Sequence, residues 1–227
     1  MQTPHLDQAY EEELQRLSLH LSRTAARAEQ MLRDAVRALL SRDVTLARQV
    51  MDTDRELDRL EVELDKLCIV MLARRSPVGE DLRLVLTALK SDVDMERIGD
   101  LAGHVAERAI ELCTGTGISA PPEVVELANG SVDLVSRAMK ALADRDGEAA
   151  RTVIVDDRKL DTLHGATIRR MIQIAKDHPD QLERSIAWSS VSRQLERAAD
   201  HACNIAEMAV FLAEGQVLRH AGLKGNS

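Results

Sequence analysis

The two halves of this chain carry the same residues in the same order, about one hundred positions apart. Residues 96–107 and 196–207 agree at six of twelve positions: Glu96/Glu196, Arg97/Arg197, Asp100/Asp200, Ala102/Ala202, Ala106/Ala206 and Glu107/Glu207. Upstream, residues 35–60 align with 138–163 at thirteen of 26 positions, including Arg42-Asp43 with Arg145-Asp146 and Asp54-Arg55-x-Leu57-Asp58 with Asp157-Arg158-x-Leu160-Asp161. A duplicated unit of this length is far longer than a solenoid repeat, so it predicts two similar domains rather than a stack of small ones.

Composition decides what the unit is made of. The 227 residues include one Trp, one Tyr and one Phe, while Ala, Leu, Arg, Glu and Asp abound. Such a chain favours helix and lacks the β-branched and aromatic enrichment of strands. Prolines and glycines then mark six helices. The first spans about 5–40, with Arg42-Asp43 as the turn, and the second about 44–74. Ser76-Pro77 is expected to start a third that runs to Cys113, Ser as the cap and Pro in the first turn. Residues 115–122 (GTGISAPP) read as a linker. A fourth helix follows Pro121-Pro122, residues 144–147 form the next turn, a fifth runs to about Lys176, and His178-Pro179 opens a sixth that ends near Gly215. The expectation is an all-α protein of two tandem, pseudo-symmetric three-helix bundles, at 1–115 and 116–215, with a disordered tail at 216–227.

Charge and cysteine usage restrict the function. A net charge of −8 argues against general nucleic-acid binding, because the phosphate backbone would be repelled. Cys68, Cys113 and Cys203 are odd in number and show no CxxC spacing, so they read as packing residues of a reducing compartment. With no signal segment and no apolar run near the ~20 residues that span a bilayer, a cytoplasmic location is expected. Walker-type loops, nucleophile elbows and triad patterns are missing, so no enzyme activity is expected.

What the halves share beyond core positions is acid. Each holds two i,i+4 carboxylate pairs on different helices: Asp54/Asp58 with Glu96/Asp100, and Asp157/Asp161 with Glu196/Asp200. In the third helix Leu82, Leu86, Leu89, Val93, Glu96, Asp100 and Gly103 share one face, so the carboxylates continue a face that is apolar earlier. Like charges four apart on a helix cost roughly 0.2–0.5 kcal/mol per pair, and more when partly buried. Duplicated pairs therefore suggest a cation, and four carboxylates from two helices suit Mg²⁺, Mn²⁺, iron or Zn²⁺. Ordinary ion pairing is the competing account, since Arg55, Arg97, Arg158 and Arg197 each stand three residues before the second acid of a pair. A redox or hydrolytic metalloenzyme and a metal-free helical interaction module stand as alternatives; the Glu-x-x-His motif of di-iron enzymes is missing. His164, where the first copy has Glu61, reads as a ligand or, preferably, a polar helix residue. His104 and His201 read as exposed or hydrogen-bonded, and Glu107 and Glu207 as an extension of the acidic stripe or its solvated end.

The doubled Glu-Arg-x-x-Asp-x-Ala signature, the Asp-x-x-x-Asp pairs before it and the segment Leu72-Ala73-Arg74-Arg75-Ser76-Pro77…Asp81-Leu82-Arg83 together resemble the PhoU family of bacterial phosphate-signalling accessory proteins. The resemblance spans nearly the whole chain, to about Gly215. It implies a negative regulator of phosphate uptake and starvation signalling, acting between the phosphate ABC transporter and its sensor histidine kinase; a homodimer is expected from a long helical bundle with extra apolar faces. Contact with the membrane would then come only through those partners. It further implies multinuclear metal clusters on the eight carboxylates Asp54, Asp58, Glu96, Asp100, Asp157, Asp161, Glu196 and Asp200. The second signature continues His201-Ala202-Cys203-Asn204, close to the family's Asp-His-Ala-x-Asn, whereas the first has His104 where Asn is usual. The two clusters are therefore expected to differ in metal or occupancy.

Overall fold

The computed structural model describes residues 8–113 and 119–218. Six helices account for most of them: α1 (Gln8–Ser41), α2 (Val44–Arg75), α3 (Gly79–Cys113), α4 (Pro122–Asp144), α5 (Gly147–Asp177) and α6 (Leu182–Glu214). Half of the expected linker, 115–118, and the end of the expected tail, 219–227, lie outside the described residues.

The α1–α2 and α4–α5 turns are copies of one another. Arg42 and Arg145 both take left-handed backbone, at φ 57° and 53°. Asp43 and Asp146 follow as N-caps, their Oδ1 atoms accepting from the Leu46 and Ala149 amides at 2.9 Å. Each Arg-Asp pair thus ends one helix and begins the next, which is why it occurs in both halves.

The entry to α3 differs from expectation. Ser76 ends α2 as a left-handed C-cap, φ 46°, instead of starting α3, which begins at Gly79 with φ 58°. Arg75 holds this corner by donating to Glu13 of α1 at 2.8 and 2.9 Å. Similarly, Pro179–Gln181 forms a single 3₁₀ turn, and α6 starts at Leu182.

Within each half the three helices pack on one another, and the halves meet through α3 against α6 and α1 against α4. One continuous core results, built from Leu, Val and Met with many Ala, and closed by Trp188. Small residues let the helices approach closely. Leu57 of α2 lies directly over Gly99 of α3, so that a Cβ at Gly99 would overlap Leu57 Cδ2. Its counterpart Leu160 instead fills the space over Gly130 of α4, 2.6 Å from where a Cβ would stand.

The α3 stripe drawn from the sequence is a flank, not the core. The inward face belongs to Leu84, Val85, Ala88, Met95, Ile98, Leu101 and Ala102, all buried, whereas Val93 is 54% exposed. The stripe's spacing fits a helix but does not say which of two adjacent faces turns inward. α3 has neighbours on more than one side, since α1, α2 and α6 all pack on it.

Candidate functional site: two carboxylate sites

In the second repeat the acids converge. Asp157 and Asp161 on α5 and Asp200 on α6 each offer an oxygen, and the three lie within 4.8 Å of one another. Burial and the charges of Asp161 and Asp200 push Asp157 up to about 6. Glu196 is raised by burial and by Asp200 and Asp161, so all four expected ligands of this repeat act on one another. The Cys203 thiol hydrogen-bonds to Asp157, and burial beside that carboxylate raises the thiol above its usual range.

His164 stands at the edge of this site. Its Nδ1 shares a 2.8 Å hydrogen bond with Ser192 Oγ, and burial together with Arg193 lowers its pKa.

The first repeat is assembled differently. Burial and the neighbouring Asp100 push Glu96 up to about 7, although Arg97 opposes the shift. Arg97 reaches both members of the α3 pair, Glu96 at 3.4 Å and Asp100 at 2.9 Å. From α2, Glu61 is raised by burial and by Asp65 and Asp58, with Asp100 adding to the shift from across the site. Asp58 is exposed, and Asp54 lies in α2 with its side chain outside the described residues.

The alternative of arginine pairing is thereby divided between the repeats. Arg97–Asp100 forms, whereas among the described residues Arg55–Asp58, Arg158–Asp161 and Arg197–Asp200 make no ion pair within 4.0 Å. The second-repeat carboxylates therefore crowd together without a bound guanidinium. Convergent oxygens of this kind fit a hard or borderline divalent ion, with Arg193 and Arg197 acting on Glu196 and Asp200 only from beyond ion-pair distance.

Two outer positions behave as solvated groups. Glu107 is exposed beside Arg108 at 3.2 Å, and His104 is exposed. His201 is hydrogen-bonded. Its Nδ1 and the Asn204 amide both donate to Asp94 Oδ1 of α3, at 2.8 and 2.9 Å, so the tail of the second signature ties the repeats together. The first signature has Leu101 and His104 at those places, and the tie is made once. Asp94→Ala leaves the half-buried His201 and the exposed Asn204 without their shared acceptor. It is expected to lower stability by about 2 kcal/mol, roughly 4–8 °C in thermal midpoint. Calorimetry that found a shift below about 1 °C would mean the tie contributes nothing.

Sequence reasoning passed over Asp65, Asp92 and Asp94. The available signal was spacing: Asp92 stands four residues before Glu96 and Asp65 four after Glu61, each extending an i,i+4 series. None is repeated in the other half, where the counterparts are the neutral Ile168, Ser192 and Gln194.

A family model described as the PhoU domain matches residues 21–109 and again 124–209, one match in each repeat. The phosphate-specific transport system accessory protein PhoU homolog of Pseudomonas putida is 35% identical over 223 residues, 98% of this chain and 87% of that protein. The crystal structure of PhoU from Pseudomonas aeruginosa is 35% identical, with a TM-score of 0.88 over 91% of this chain and 100% of that one. The phosphate transport system regulatory protein PhoU from Streptococcus pneumoniae, 22% identical, shares the fold with a TM-score of 0.85, covering 92% of this chain and 99% of that one. Two domain matches on the two structural repeats, with relatives alike along the whole chain, lead to one conclusion: the chain belongs to the PhoU family.

Proposed function

We propose that this protein is a cytoplasmic, non-enzymatic negative regulator of phosphate uptake and phosphate-starvation signalling, coupling a phosphate ABC transporter to a sensor histidine kinase. The observation that carries this reading is similarity along the full chain, in both repeats, to proteins named as phosphate-specific transport system accessory proteins. Among the described residues no helix is long and apolar enough to cross a membrane, so contact with a transporter is read as peripheral. The units that act are read as the repeats 1–115 and 116–215, in a homodimer.

The same reading makes Asp58, Glu96 and Asp100 with Asp54, and Asp157, Asp161, Glu196 and Asp200, the ligands of a divalent cation or cluster in each repeat. A bound cation supplies the positive charge that holds two acidic helices together. The chain's own part is to present oxygens from α2 and α3, or α5 and α6, at a fixed helix spacing.

Deleting the gene in its host should derepress phosphate-starvation genes in phosphate-rich medium, with transcript levels rising by an order of magnitude or more. Unchanged transcripts in a strain without a second copy would overturn the regulator. Elemental analysis of protein purified without a histidine tag tests the cations separately.

A further inference from the structure

α1 and α4 meet across the boundary between the repeats, and a cavity of about 690 Å³ opens between them. None of the eight carboxylates of the acidic sites lines it. Its walls are two helical stripes. From α1 come Arg33, Val36, Arg37 and Leu40. From α4 come Asn129, Val132, Asp133 and Ser136. Both sets advance by three, one and three residues, the spacing of one helix face over two turns, about 10 Å. The floor is aliphatic: Val36 is buried, and Leu40 and Val132 are partly buried against the core. A trough between two helix faces is the shape a third helix fills, laying apolar residues at i, i+3, i+4 and i+7 into it.

Charge decides what kind of helix. On the α1 edge, Arg33 and Arg37 stand one turn apart, with side chains 48% and 64% exposed. Each meets an acid of its own helix through one nitrogen, Arg33 with Glu29 and Arg37 with Asp34 at 3.0 Å. A guanidinium carries five N–H donors, so both keep donors for another partner, and exposed pairs within one helix hold them weakly. The α4 edge is neutral by comparison. Asp133 is met by Arg137 at 3.3 Å, and Asn129 and Ser136 are uncharged. The lining therefore fits a helix with carboxylates one turn apart on the flank facing α1 and uncharged polar groups on the flank facing α4. At the offset of 103, Arg33, Leu40 and Val132 correspond to Ser136, Ala143 and Glu29. The groove's pseudo-twofold mate thus has a different lining, and one helix is expected per chain.

We propose that the α1–α4 groove docks a short amphipathic helix of a partner protein, apolar on the face it buries and acidic beside Arg33 and Arg37. This adds a contact surface to the regulator and is independent of cations at the carboxylate sites, which belong to α2, α3, α5 and α6.

The test places a photo-activated benzophenone amino acid at the exposed Asn129, or in a second strain at Ser41, of the full-length protein in its host. Cells are irradiated in phosphate-rich and in phosphate-poor medium, and the joined residue is mapped by mass spectrometry. The expected adduct lies on a partner segment with apolar residues at helical spacing and two acids one turn apart. Arg33→Glu combined with Arg37→Glu should reduce that adduct about tenfold or more, while circular dichroism of the purified variant stays that of the folded helical protein. Changing the partner's two acids to lysine should restore the adduct in the double variant. No adduct from either position, an adduct to a second copy of this chain, a joined segment without the acids, or a double variant that cross-links like wild type would each overturn the proposal. Derepression of starvation genes on deletion would survive all of these results, so the groove and the regulator stand or fall separately.

Discussion

Replacing Asp161 and Asp200 together by asparagine should abolish the cation binding proposed for the second repeat and, at the same time, raise the thermal midpoint of the metal-free protein. Both effects have one cause. Three carboxylates with oxygens inside 4.8 Å are a ligand set when an ion is present and a repulsive cluster when it is not. Asparagine keeps the shape and removes the charge. The affected neighbour is Asp157, held up at about 6 by burial first and by Asp161 and Asp200 next. Its folded pKa lies above the ordinary aspartate value, so its stabilising contribution is complete below about pH 4 and is lost as pH rises through about 6. Metal-free wild type should therefore lose stability between about pH 4 and pH 7, and the double variant should lose less. Discounting for solvent at the mouth of the site, the gain above pH 7 is about 1–2 kcal/mol, roughly 3–6 °C. Scanning calorimetry across that range with chelator, and a metal titration at pH 7.5, check the two halves of the prediction. Retained binding, or a midpoint lowered at neutral pH, would contradict the description of this site.

Gly99→Leu should be among the most damaging single changes in the first repeat. A Cβ alone at Gly99 overlaps Leu57 Cδ2, and Met31 Cε stands 3.7 Å from it. Leu57 is 1% exposed, so a leucine at 99 must displace it and push α2 away from α3. Overpacking of this kind costs about 3 kcal/mol, roughly 6–12 °C here. Because α2 and α3 carry the first acidic site, the cation binding proposed for it should weaken while that proposed for the second repeat is kept. Gly103→Ala is the control. Nothing lies within 4 Å of the added methyl, and alanine favours helix by about 1 kcal/mol, so this variant should be neutral or more stable. Equal midpoints for the two variants would refute the close approach at Gly99.

The helices and the paired acids could be read from the chain because both are written twice. Arg42-Asp43 and Arg145-Asp146 announce a turn and a cap through local chemistry, and duplication confirms the register. The misplaced start of α3 had a local cause too. A serine before a proline suits an N-cap, but the Arg75–Glu13 contact with α1 fixes the end of α2 and leaves Ser76 as its left-handed stop. The packing of α3 on α6 was not legible, since helical periodicity marks an apolar face without naming its partner. Duplication also hid things. It draws attention to what the halves share, whereas Asp92, Asp94 and the Glu61-to-His164 exchange are what they do not share.

The tie from Asp94 to His201 and Asn204 gives the pair α3 and α6 a mechanical meaning. Asp94 is two residues from Glu96, and His201 is adjacent to Asp200, so each end of the tie is rooted beside one of the acidic sites. The tie therefore fixes how α3 and α6 sit on one another at the level of the two acidic sites. If filling one site changes the affinity of the other by some factor, the reverse change must be the same factor, because the coupling is a single free energy shared by both.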